Sequence, residues 1–310
     1  MLIQSRKLVL EFTKMSGTGN DFIVIDNRFY HFSGEELSQM AKKLCPRRLG
    51  AGADGLLALG NPISKGSIFR MSYYNADGSL GSMCGNGARC LARYAHDAGL
   101  LGEVIAHEIT SSVNLESGAN EQLEPNKLRD QSYLFDSDAG MYSAVVRGNS
   151  AMVRLYVPAP QNFRRDVIVD YTDPSKAWKY HFIWTGTEHL VVQVEDVASV
   201  DVASIGNRLR FDTSLAPAGA NVNFVQVQLD GSLKARTFEK GVESETFACG
   251  TGSIACALVS NLTGAIGLSP VVIHMAGGDL IVGWEGSAQA PHKLYLEGRV
   301  EVIYRATTEI

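Results

Sequence analysis

The chain of 310 residues is 45% hydrophobic and 20% charged, which suits one large or two medium domains with an ample core and excludes a disordered chain. A formal net charge of −5 argues against nucleic acid or an anionic membrane surface as a partner. The opening MLIQSRKLVLEFTKM lacks a signal-peptide core and no later run approaches the ~18 apolar residues of a membrane span, so a cytoplasmic protein with a small-molecule ligand is expected.

The first predicted strand is FIVID, 22–26, and Ser33 followed by Glu35 and Glu36 opens a predicted helix over 33–45. A strand follows at 70–74, then a helix rich in small residues, ARCLARYAHDA, at 88–98. Residues 114–140 are polar and without periodicity, and read as a connection or surface insertion. Strands return at 151–157, 189–194, 223–229 and 294–304, interrupted by a second small-residue helix, SIACALVSNL, at 253–262. A helix with little polar face is normally buried. The fold class expected is therefore α+β: two pseudo-symmetric half-domains, each a strand-rich sheet or barrel wrapped around a central helix.

Both small-residue helices follow the same motif. Cys84 opens CGNG and Cys249 opens CGTG, each trailed by a second cysteine, Cys90 and Cys256. The first N–H groups of a helix lack intrahelical partners, and with the helix dipole they make an anion site that glycine leaves open to close approach. Such a terminus cradles a carboxylate and is expected to lower a neighbouring thiol from its reference pKa of about 8.5. Two of them facing each other place a thiol on either side of a bound carbon. One thiolate then removes a proton and the opposite thiol returns one to the other face, which inverts a stereocentre.

Cys45, Cys90 and Cys256 read as core. Five cysteines without a Cys-x-x-Cys pair suit neither a disulfide framework nor a zinc ribbon, and the thiols are expected to be reduced. GTGSIA at 250–255 matches a dinucleotide fingerprint only in form, because no βαβ unit surrounds it. The scattered histidines give no metal spacing.

Taken in order, KMSGTGNDFIVID (14–26), GADGLL (52–57), YNADGSLGSMCGNGARC (74–90), NVNFVQV (221–227) and ACGTG (248–252) make the chain resemble the diaminopimelate epimerase family. The resemblance implies pyridoxal-independent interconversion of LL- and meso-2,6-diaminopimelate, a step of lysine and peptidoglycan precursor synthesis, with no metal and no organic cofactor. It implies a cleft between the halves as the active site and a last strand that crosses back, with 1–135 and 299–310 forming one half and 136–298 the other. Cys84 and Cys249 fall on the family's acid/base pair, and His189 and Glu239 on its supporting acid/base residues. Gly85, Asn86, Gly250 and Thr251 match contacts to the α-carboxylate. Asn20, Asn75 and Asn221 match contacts to the distal end of the substrate, beside Glu239 and Lys240. The partner implied is an amino-acid substrate, with a homodimer left open.

The chain departs from the family pattern at Ser16, Gly55, Thr187 and Glu188. It also carries one extra residue before Cys249, and Lys240 in place of an arginine. A lysine cannot form the two parallel hydrogen bonds of an arginine fork, so relaxed specificity toward glutamate is expected. The alternatives are another cofactor-independent racemase of the same fold, proline racemase-like, a non-enzymatic amino-acid-binding protein, or a thiol-redox protein.

Overall fold

In the computed structural model, which describes residues 8–104, 130–148, 150–172, 175–267 and 269–310, the strands join in one mixed sheet that curls around two central helices, Gly85–Asp97 and Gly250–Leu262. The pairing pattern occurs twice. In the first half Asn20–Asp26 runs parallel to Gly55–Gly60, which pairs antiparallel with Phe69–Asn75; that strand runs parallel to Gln131–Ser137, which pairs antiparallel with Gly140–Val146. In the second half Glu188–Gln193, Asn221–Val227, Leu233–Glu239, Val271–Met275 and Gly278–Ser287 follow in the same order with the same directions. Each central helix lies between the third and fourth strand of its set. The last strand, Ala290–Glu309, pairs antiparallel with Gly278–Ser287 of the second set and with Val9–Gly17 of the first, so it ties the halves together.

The strands read as unbroken apolar runs because both faces are covered. Phe22 and Val24 pack toward the first central helix, while Ile23 and Ile25 point to an outer layer closed by the helix Gly34–Leu44. The second half repeats this, with Val191 in the core of the central helix and Leu190 and Val192 in an outer core that includes Val202 and Leu209 of the helix Val202–Arg210. The outer helix of the first half begins at a capping box between Ser33 and Glu36 and buries Leu37, Met40, Ala41 and Leu44 on one face.

Two expectations change. The polar stretch expected over 114–140 ends in a strand, Gln131–Ser137, whose Tyr133 and Phe135 are fully buried; the polar Gln131, Asp136 and Ser137 occupy buried positions and hide the period. Residues 105–129 lie outside the described residues. The core around the first central helix also takes in Ala144, Val146, Val153 and Leu155, so its packing runs past the boundary expected at 135. Val157 touches both central cores. Among the described residues no helix is long and apolar enough to cross a membrane.

Candidate active site

Both motif cysteines are helix N-caps with extended backbone, Cys84 at φ −131° and Cys249 at φ −122°. The Gly87 N–H donates to Cys84 Sγ at 3.4 Å, and Cys249 Sγ lies 3.6 Å from Thr251 Oγ1. The two termini converge. A Cβ on Gly85 would stand 3.6 Å from Leu296 Cδ2, and one on Gly250 would stand 2.8 Å from the same methyl. Asn86 Oδ1 lies 3.5 Å from that Gly250 position, so the amide of the first terminus looks onto the second. Cys45, Cys90 and Cys256 are buried in the cores.

The thiols depart from expectation in one respect. Burial pushes Cys84 up to about 11, and the N–H groups of Gly87 and Asn86 pull it down only in part, while Glu239 adds to the rise. Burial and then Glu239 drive Cys249 further in the same direction. The helix termini do favour the thiolates, but desolvation by burial outweighs them. A cationic group entering the site shifts that balance back.

Burial also raises the Glu239 carboxyl, against the pull of the Thr246 hydroxyl. His189 is fully buried and desolvation takes it down to about 3, so the ring is neutral. Its tautomer follows from its partner. Asn223 Nδ2 lies 3.0 Å from His189 Nδ1 and 3.1 Å from the Leu190 carbonyl, which only accepts; Nδ2 is therefore the donor and Nδ1 the acceptor. The ring proton sits on Nε2, which has no hydrogen-bond partner among the described residues.

Beside His189, Lys240 Nζ and Glu188 Oε2 form an ion pair at 2.5 Å. Thr187 Oγ1 donates to the same carboxylate at 3.1 Å. Asn221 is clamped between these residues, with its Nδ2 donating to the Glu188 carbonyl at 3.0 Å and its Oδ1 accepting from the Lys240 N–H at 2.9 Å. The lysine and glutamate that depart from the family pattern are thus partners of each other.

On the first-half side, Asn86 Nδ2 donates to Asn20 Oδ1, and Asn20 Nδ2 donates to Asp54 Oδ2 at 3.0 Å. Asn75 Oδ1 accepts from Tyr73 Oη at 2.7 Å, and its Nδ2 donates to Ser79 Oγ at 2.9 Å. The Tyr73 hydroxyl lies in the field of Cys84 and Glu239. A Cβ on Gly55 would stand 2.6 Å from the Tyr73 ring, so this glycine leaves the space the tyrosine fills.

The residues expected at the site therefore lie in three parts of the structure: the helix termini with Cys84, Gly85, Asn86, Cys249, Gly250 and Thr251; the first-half strands with Asn20 and Asn75; and the second-half strands with His189, Asn221, Glu239 and, just past the strand end, Lys240. Sequence reasoning missed Asn223, Tyr73, Asp54 and Arg89. A charge between Ala88 and Cys90 in an apolar helix was a readable signal for Arg89. Asn223 gave none, because it occupies an ordinary position in a strand. Among the described residues no group of three or more side chains could hold a metal ion.

Residues 12–121 and 181–303 match the family model described as diaminopimelate epimerase. A diaminopimelate epimerase of Chlorobaculum tepidum is 37% identical over 94% of this chain and 99% of its own length, and one of Methanocella arvoryzae is 34% identical over 97% of each. Among solved structures, a hydroxyproline epimerase from Agrobacterium vitis with bound trans-4-hydroxy-L-proline superposes with a TM-score of 0.65 over 99% of this chain and 93% of its own, at 14% identity. A PhzF-family phenazine biosynthesis protein from Bacillus anthracis gives 0.66 over 98% and 100%, at 15% identity. These two likenesses concern the fold.

Proposed function

The chain belongs to the diaminopimelate epimerase family, and we propose that it interconverts LL- and meso-2,6-diaminopimelate by two-base proton transfer between Cys84 and Cys249. The observation that carries the reading is the pair of cysteine-capped helix N-termini converging on Leu296. The α-carboxylate binds N–H groups of both termini, which also take up the negative charge that develops as the α-proton leaves. The α-ammonium brings a cation beside Glu239 and the thiols, which favours one thiolate against the burial that raises both thiols. That thiolate takes the α-proton and becomes a thiol; the opposite thiol gives its proton to the other face and becomes the thiolate. Charge and protons balance, and the direction of the next turnover is reversed.

His189, neutral and with its Nε2–H unpartnered among the described residues, and Glu239 orient the substrate and the thiol protons. At the distal end, diaminopimelate carries both an ammonium and a carboxylate. The Glu188–Lys240 pair offers one partner for each. Glutamate offers only the carboxylate and brings no distal ammonium to Glu188, so its racemisation is slower than epimerisation of diaminopimelate. A cytoplasmic setting, which keeps the thiols reduced, and a chain that works alone or as a homodimer belong to the same reading.

The test is chiral separation of product from LL-diaminopimelate under reducing conditions. Appearance of the meso form supports the reading. A folded, reduced protein that leaves diaminopimelate unchanged but racemises proline or another amino acid favours the proline racemase-like alternative.

A further inference from the structure

Arg89 is the largest fully buried side chain, and no carboxylate pairs with it among the described residues. Its Nη2 donates to Asn86 Oδ1 at 2.9 Å and to Thr18 Oγ1 at 3.1 Å, and its Nη1 donates to the Gly85 carbonyl at 3.4 Å. Its Nε has no hydrogen-bond partner among the described residues. A buried, uncompensated guanidinium is costly, and the fold does not require one here. Counted from the motif cysteine, the matching position in the second central helix is Ile254, which is buried in an apolar core.

The contacts of Arg89 have a direction. A guanidinium only donates, so Asn86 must turn Oδ1 toward it and Nδ2 away. Asn86 Nδ2 then donates to Asn20 Oδ1, and Asn20 Nδ2 donates to Asp54, a carboxylate that only accepts. A donor-only group at one end and an acceptor-only group at the other leave both amides a single orientation. Asp54 is itself held by Arg47 at 2.7 Å.

We propose that Arg89 is a positioning residue of the site: it fixes the amide direction of Asn86 and Asn20, so that Asn86 keeps one N–H for the substrate α-carboxylate, and it sets a permanent positive charge behind the Cys84 terminus. The proposal rests on the epimerase reading for its ligand. The substrate carboxylate supplies a counter-charge for the guanidinium, whose hydrogen-bond partners among the described residues are neutral. Only one of the two helix termini has this support, so the pseudo-symmetric cleft is electrostatically uneven.

The experiment compares Arg89→Met and Arg89→Lys with the parent in two readouts. The first is steady-state kinetics with LL- and meso-diaminopimelate. Arg89→Met is expected to raise KM tenfold or more, with the smaller share of the loss in kcat, since the Asn86 contact is made by bound substrate and transition state alike. Arg89→Lys keeps the charge but cannot serve Asn86, Thr18 and Gly85 together, and its KM is expected between the two.

The second readout needs no substrate: the pH dependence of Cys84 alkylation by iodoacetamide, followed by peptide mass spectrometry. The groups facing this thiol are Glu239, Tyr73, Cys90 and Cys249 besides Arg89. With the first four unchanged, loss of the guanidinium moves the alkylation profile to higher pH in Arg89→Met and leaves it in place in Arg89→Lys. A folded Arg89→Met protein with parent-like KM or a parent-like alkylation profile overturns the proposal. Should Arg89→Met fail to fold, a parent-like KM in Arg89→Lys does the same. A parent that does not turn over diaminopimelate counts against the epimerase reading, while the alkylation profile still judges the charge behind Cys84.

Discussion

At Gly252, in the first turn of the second central helix, a single added methyl strikes both the packing and the candidate site. A methyl there would run into Asn223 Oδ1 and stand 3.2 Å from Cys249 Sγ. Asn223 is fully buried; its Oδ1 accepts from Thr237 Oγ1 at 2.9 Å while its Nδ2 holds His189 at 3.0 Å. Gly252→Ala therefore forces the amide aside. Overpacking costs about 1–3 kcal/mol and a broken buried hydrogen bond about 1–3 kcal/mol, against a gain of about 1 kcal/mol in helix propensity. The net loss is about 3 kcal/mol, or roughly 6 °C in Tm for a chain of this size. Activity falls further than stability, because His189 and Cys249 lose their fixed geometry together. Gly264→Ala is the control: its Cβ would meet nothing within 4 Å at a φ of +80°, so it costs only local strain. Thermal melts and kcat/KM of both variants check this. A Gly252→Ala protein that melts within 2 °C of the parent by this ~2 °C per kcal/mol scale and keeps its activity refutes the packing argument.

Three further outcomes follow from the same geometry. His189, held near 3 when folded against about 6.5 unfolded, contributes stability that is complete above 6.5 and is lost as pH falls toward 3; His189→Gln should remove roughly 2 kcal/mol of the loss at pH 5, read by urea unfolding at pH 5 and 7.5. In the free protein iodoacetamide should modify Cys84 before Cys249, because Cys84 is half-buried with a pKa of about 11 while Cys249 is 5% exposed and shifted further; peptide mapping after partial alkylation settles the order. Glu188→Gln frees Lys240 from its ion pair, so the ratio of diaminopimelate to glutamate turnover should drop several-fold, and an unchanged ratio would show that the pair has no part in selecting the distal group.

The α+β class and the two similar halves were legible in the strand runs and in the repeated Cys-Gly-x-Gly motif, and the structure shows both. Cys84 and Cys249 were legible because a reactive residue, an open helix terminus and a duplicated context coincide, and each of these has a physical reason that core cysteines such as Cys90 lack. The outer helix was legible through Ser33 and Glu36, whose capping box is local. The strand Gln131–Ser137 was not, since its polar residues mask alternation that only the packing of Tyr133 and Phe135 reveals. Asn223 left no local mark, and Arg89 left only its charge between Ala88 and Cys90; the partners through which they act, His189 and, by way of Asn86, Asn20, are not encoded locally. The thiol shifts were misjudged in sign for a related reason: the terminus is visible in the motif, whereas the burial that outweighs it depends on both halves closing.

The central claim, that the two motif cysteines act as opposed bases on one carbon, is tested most directly by proton NMR of LL-diaminopimelate in deuterium oxide under reducing conditions, with Cys84→Ala and Cys249→Ala beside the parent. The account predicts deuterium at the α-carbon together with the meso form in the parent, and no epimer in either variant. Epimer formation that survives removal of either cysteine contradicts it.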